Sequence, residues 1–168
     1  LQKAASKNLR FGLYAGAVLI MMLYNFFISV STRDSSYAFY ILYIFSVGLT
    51  QALFQGYAYM YLWPESTFMA RYNSIIVPFF SGLLTIAFIK TFLHTRFYTP
   101  KLDVGINFIV VLYVIGLLIG LYDKFYGVQF LQIAASVGTL YVLFVVNQIR
   151  KQGYRPALFF LIAFSLFF

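Results

Sequence analysis

Three observations predict an all-α fold, a polytopic transmembrane helix bundle. Five strongly apolar stretches, residues 11–32, 35–64, 72–89, 104–122 and 125–149, each run 18 to 30 residues without a charged side chain. Hydrophobic residues make up 62% of the chain and charged residues 10%. A soluble domain carries roughly 25% charged residues, so a water-facing surface cannot be built from this supply. The segments between the stretches are short, which forces consecutive elements to run antiparallel. A bilayer core of roughly 30 Å takes about 20 helical residues at 1.5 Å each, so all five stretches can span. Barrel strands would alternate apolar and polar side chains over about 10 residues, and these runs are continuous and longer. In lipid every backbone N–H and C=O must be paired internally, and helices are the solution that remains.

The first span, residues 11–32, is too long for a signal peptide and no small-residue cleavage site follows it. The turn at Arg33 and Asp34 separates it from the second stretch, residues 35–64, which exceeds what a span requires. That stretch is expected to tilt or to project beyond the bilayer. Tyr57, Tyr59, Tyr61 and Trp63 would belt one interface and Tyr37, Tyr40 and Tyr43 the other. The third span contains Pro78 with Gly82 one turn later, a candidate helix kink that could hinge or simply bend. The fourth and fifth spans, residues 104–122 and 125–149, are separated only by Asp123 and Lys124. Gly153 and Pro156 punctuate the last link in the order expected for a helix end and the next helix start. The sixth stretch, residues 156–168, covers only 13 residues and is expected to be part of a sixth helix. The chain starts at Leu1 rather than Met, and residues 1–10 read as a juxtamembrane segment following an extracytoplasmic domain.

Lys and Arg set the expected orientation. With the N-terminus outside, the inner links hold Arg33, Lys90, Arg96, Lys101, Arg150, Lys151 and Arg155, which is seven. The outer side holds Arg71 and Lys124, plus Lys3, Lys7 and Arg10 in the leading segment, which is five. If that segment belongs to an exported domain its charges count little, and the balance becomes seven to two. The net charge of +8 is accounted for by these juxtamembrane positions, which face lipid headgroups; no basic–aromatic pattern of a nucleic-acid binder is present.

Chemistry-bearing residues are sparse. The chain has no Cys, which removes disulfides, thiolate metal sites and cysteine nucleophiles. The four acids, Asp34, Glu65, Asp103 and Asp123, fall at expected helix ends, and the single His94 sits in the link after the third span. No pair stands at metal-ligand spacing, so neither a metal nor a cofactor is expected. His94 lacks an orienting partner in sequence and reads as interfacial and structural rather than catalytic. Ionisable residues inside spans mark ion pathways, and their absence here argues against a coupled transporter.

Two kinds of pattern suggest helix association. Gly12 with Gly16, Gly116 with Gly120, and Ala134 with Gly138 have the small-xxx-small spacing that lets backbones approach, within one bundle or in a homodimer. On the fifth span Gln129, Gln132, Ser136, Thr139 and Asn147 fall within roughly an 80° sector at 100° per residue. On the second span Gly48, Gln51 and Gln55 share a face. These polar residues are expected to point into the bundle, the fifth span toward the second, either as hydrogen-bonding glue or as the wall of a ligand or water cavity.

An ordered series of residues gives a resemblance. It comprises Tyr24 and Asn25 late in the first span, Arg33 and Asp34 in a minimal turn, then Tyr37, Tyr40, Gly56, Trp63 and Pro64, and finally Phe92, Leu93 and Pro100. Over about residues 11–168 the chain resembles the bacterial seven-transmembrane receptors with diverse intracellular signalling modules. The resemblance implies seven helices, an N-terminal extracytoplasmic ligand-binding domain, often a β-sandwich, and a cytoplasmic effector such as a histidine kinase, a diguanylate cyclase or a phosphatase. It implies residence in the bacterial inner membrane, and no catalytic residues to carry over. The expected function is therefore a sensory relay from an outer ligand to an inner effector, with no chemistry in the chain itself. The rival readings are a non-sensory membrane subunit of a larger assembly and, behind it, a transporter or membrane enzyme.

Overall fold

A computed structural model of the chain describes residues 2–165, with side chains described for residues 9–162. The described residues form helices and no strands. They are α1 (Gln2–Thr32), α2 (Ser35–Phe54), α3 (Tyr57–Tyr61), α4 (Thr67–Phe92), α5 (Thr95–Tyr98), α6 (Pro100–Tyr122), α7 (Lys124–Lys151) and α8 (Arg155–Ser165). Five of these, α1, α2, α4, α6 and α7, are long and apolar enough to cross a bilayer. The fold is an all-α polytopic bundle, and large apolar side chains such as Leu13, Phe27, Phe108 and Leu140 stay exposed on its outside, where lipid would meet them.

Short polar caps set the helix starts. Asp34 accepts from the Ser36 amide at 2.8 Å and opens α2. Ser66 accepts from Met69 at 3.2 Å and opens α4, and Asp123 accepts from the Phe125 and Tyr126 amides and opens α7. Each cap satisfies amides that the first helical turn leaves orphaned. Two of the four acids are thus helix caps. The turn between α1 and α2 needs only two residues because Arg33 takes a left-handed φ of 54°.

The long second stretch is not one helix, contrary to expectation. It ends at Phe54, Gly56 adopts φ 85°, and the single turn α3 follows before Trp63 and Pro64. A left-handed residue cannot continue a right-handed helix, and glycine pays no Cβ penalty there. Tyr57 and Phe11 then stack at 4.0 Å, so α3 leans on the start of α1 rather than projecting beyond the bundle.

α4 is the centre of the bundle. It packs against α2, α6 and α7, while α6 lies along α7, α1 packs on α2, and α8 packs on α7. Of the spanning part of α4, 33% is buried, against 6% for α1, so α1 is a peripheral helix. One core joins Ile75, Phe79, Ile86, Ile106, Val145 and Ile149 across these helices. An aromatic seam of Tyr40, Tyr43 and Phe88, with centroids 5.2 Å apart, holds α2 on α4.

Small residues set the tightest crossing. Gly120 and Gly127 face each other where α6 folds back onto α7, and a methyl on Gly127 would collide with the Gly120 backbone. Gly116 lies under Leu131, and Gly138 sits against Ile109. Gly12 and Gly16 are different: a Cβ on either meets nothing within 4 Å, so this pair packs on no helix among the described residues.

Candidate functional site

The links after α1, α4 and α7 converge on one end of the bundle, and the polar residues of the chain concentrate there. α4 ends at Phe92, and His94 turns the backbone with a left-handed φ of 49° into the single turn α5. α6 starts at Pro100, a residue suited to a first helical position because it lacks the orphan amide. This tight reversal brings Thr95 and Asp103 together. The Thr95 hydroxyl donates to Asp103 at 2.6 Å, and Lys90 reaches the other carboxylate oxygen at 3.1 Å. Lys90 also donates to Asn107 at 2.6 Å. Asp103 and Thr95 are buried, so the charge on Asp103 is matched inside the protein rather than by solvent.

Asp103 stands at a helix end as expected, but the link drawn from Lys90 to Asp103 is itself largely helical. Lys90 belongs to α4 and Asp103 to the first turn of α6, and the carboxylate is buried. A charge marks a span boundary only if it needs water. A lysine and an aspartate that neutralise each other can retreat into the helices.

Two tyrosines fasten the neighbouring helices to this network. Tyr141 of α7 donates to the Leu102 carbonyl at 2.9 Å, and Tyr154, between α7 and α8, donates to the Phe92 carbonyl at 3.1 Å. The Tyr154 ring packs 4.8 Å from Tyr98 and 6.2 Å from His94. Burial, then Tyr98 and the carboxylate of Asp34, push the Tyr154 hydroxyl above its ordinary range. The cap hydrogen bond from Ser36, with a smaller contribution from His94, holds the exposed Asp34 carboxyl below its ordinary value. These mutual influences tie the α1–α2 turn, the α4–α6 link and the α7–α8 link into one cluster. His94 is exposed, with Nδ1 3.4 Å from the Phe92 carbonyl.

The polar residues expected to form an intramembrane cluster are distributed otherwise. Gln129, Gln132 and Ser136 are exposed on α7, Thr139 and Asn147 are half-buried, and Gln51 and Gln55 are exposed on α2. Ser136 bonds back to the Gln132 carbonyl of its own helix at 2.9 Å. The face that α7 turns inward is instead Gly127, Leu131, Ala134, Gly138 and Val142, because close approach to α6 selects small side chains over polar ones. The α7 amides therefore do not meet those of α2. Gln132 and Thr139 border a cavity between α2, α4, α6 and α7, whose opposite wall carries Pro78 and Gly82. α4 continues as helix past Pro78, and Gly82 accommodates the ring of Tyr113 from α6.

The sequence reading missed Thr95, Tyr141, Tyr154 and the Lys90–Asp103 pair. One signal was present: Thr91, Thr95 and Thr99 recur every fourth residue beside a lone lysine and a lone aspartate. It was legible as the rim of a network only once the α5 reversal was known.

No curated protein and no solved structure matches the chain. A family model described as 7TM diverse intracellular signalling matches residues 7–168, nearly all of the 168 residues. With five membrane-spanning helices, a polar cluster joining their links at one end, and that match, the chain is a multi-pass signal-transduction module belonging to the 7TM diverse intracellular signalling family.

Proposed function

We propose that this module relays an extracytoplasmic ligand signal across the bacterial inner membrane to a cytoplasmic effector, with its N-terminus outside. The single observation that carries the reading is the link cluster. α1 is peripheral, with 6% of its span buried, and packs on α2, while the end of α1 opposite Phe11 adjoins the Asp34, His94 and Tyr154 group. A shift of α1 and α2 against α4 would therefore be felt at the start of α8 through Tyr154 and the Phe92 carbonyl. Packed helices with two arrangements transmit a bias from one end to the other. The seven basic residues at this end agree with a cytoplasmic location.

The extracytoplasmic domain and the effector are partners in the same protein, and the chain itself performs no chemistry. Its acids are engaged in capping or ion pairing, apart from the exposed Glu65, and His94 faces solvent. Tyr154→Phe tests the relay in the full-length protein in its native cell. It deletes only the hydroxyl bond to Phe92 and keeps the ring. Effector output should change at unaltered membrane abundance. Unchanged output would favour a non-sensory subunit of an assembly.

A further inference from the structure

A cavity of about 350 Å³ lies between α2, α4, α6 and α7, and no charged side chain lines it. Most of its wall is aliphatic, from Ile86, Ile109, Leu131 and Val142 among others. Against that wall stand several polar groups that the protein leaves unpaired. Tyr113 and Ser81 are both nine-tenths buried, and among the described residues neither hydroxyl has a hydrogen-bond partner. The Ser74 hydroxyl is buried without a partner. Pro78 lacks the amide that would make the regular helical bond to the Ser74 carbonyl. Thr139 and the side-chain amide of Gln132 also border the cavity without a side-chain partner among the described residues, whereas Thr85 donates to the Ser81 carbonyl at 2.7 Å and Thr50 to the Ser46 carbonyl at 2.8 Å.

Unpaired polar groups at this depth cost a few kcal/mol in an amide-like case, and lipid supplies no partner. Water alone is a poor filling. Each water needs two to four polar partners. The few unpaired groups on this largely aliphatic wall cannot hold a full filling of water. An ion is worse, because no countercharge is present and the surroundings have low dielectric.

We propose that this cavity is a binding site for a neutral amphiphile, an aliphatic chain ending in a hydroxyl. The hydroxyl would exchange hydrogen bonds with Tyr113, Ser81 and Ser74, and the chain would lie along the aliphatic wall. Charged amphiphiles are excluded by desolvation, and plain alkanes by leaving these polar groups unpaired.

The test is photolabelling of the full-length protein in lipid nanodiscs with octan-1-ol carrying a mid-chain diazirine, adducts being mapped by mass spectrometry. Adducts should fall on the cavity segments of α4, α6 and α7. Excess octan-1-ol should protect them, and n-octane or octanoate should protect at least tenfold less well. Tyr113→Phe should weaken the protection by octan-1-ol about tenfold, the equivalent of one hydrogen bond of 1.4 kcal/mol. Ala135→Phe, which fills the cavity, should abolish cavity adducts while leaving those on α1. If Ala135→Phe does not fold, the Tyr113→Phe arm decides. Equal protection by n-octane, an absence of protectable adducts on the cavity segments, or protection indifferent to Tyr113→Phe would each overturn the proposal.

Discussion

Lys90 and Asp103 show how a single pair can fix two helices. Each would be expensive to bury alone, and together they anchor the α4 end to the α6 start at 3.1 Å. Removing one partner leaves an uncompensated buried charge, which costs roughly 3–5 kcal/mol where burial is complete. In Lys90→Met the charge left behind is Asp103, 10% exposed and still bonded by Thr95, so the cost falls toward the lower end. Lys90→Met should therefore destabilise the bundle by about 3 kcal/mol, and the double variant Lys90→Met/Asp103→Leu should recover most of it. Equilibrium unfolding in mixed micelles measures both, and a double variant no more stable than the single one would contradict this role. Asp34 gives a pH signature. Its carboxyl is held below its ordinary 3.8 by the α2 cap. A depressed folded value means the contribution is complete above that ordinary value and is lost as the pH falls through the folded one. Wild-type α2 should consequently loosen on acidification below about pH 4, and Asp34→Asn should flatten that part of the profile. Asp34 is largely exposed, so solvent screening keeps the effect small.

At the scale of elements, the α6–α7 hairpin is the tightest joint and α1 the least buried span. Gly127 meets the Gly120 backbone, which cannot yield as a flexible side chain can. Gly127→Ala should cost about 1–3 kcal/mol by overpacking, whereas Gly12→Ala should be near neutral, since nothing lies within reach of its added methyl. Thermal aggregation of the two variants in lipid separates them; equal losses would mean that Gly12 packs on something the chain does not supply. Much of the element plan was legible in the sequence. Spans announce themselves because a charge in lipid is costly, so Arg33, Asp34, Asp123 and Lys124 mark real boundaries. The break at Gly56 was hidden because it lies within an uncharged run and depends on one backbone angle. The facing of α7 was hidden for another reason. Periodicity tells which residues share a face, not which face is buried, and size rather than polarity decided it.

For the whole molecule, orientation is the first consequence of the relay reading. Cysteines at Ser35 and Lys124 lie at opposite ends of the bundle. An impermeant thiol reagent applied to intact cells should label Lys124→Cys and spare Ser35→Cys; the reverse pattern would invert the topology and remove the basis for a cytoplasmic link cluster. The cluster itself was only partly legible, since its basic residues could be counted but their convergence required the α5 turn. Coupling across the membrane needs α1 and α2 to move against α4, and the contact that would register such movement is the stack of Tyr43 of α2 on Phe88 of α4 at 5.2 Å. Bridging Tyr43→Cys to Phe88→Cys with a short bifunctional thiol reagent, in the full-length protein in its native cell, tests the central claim most directly. Effector output should become fixed and insensitive to stimulus, with release by a cleavable version of the bridge. Output that still follows the stimulus with the bridge in place would contradict a relay through these helices.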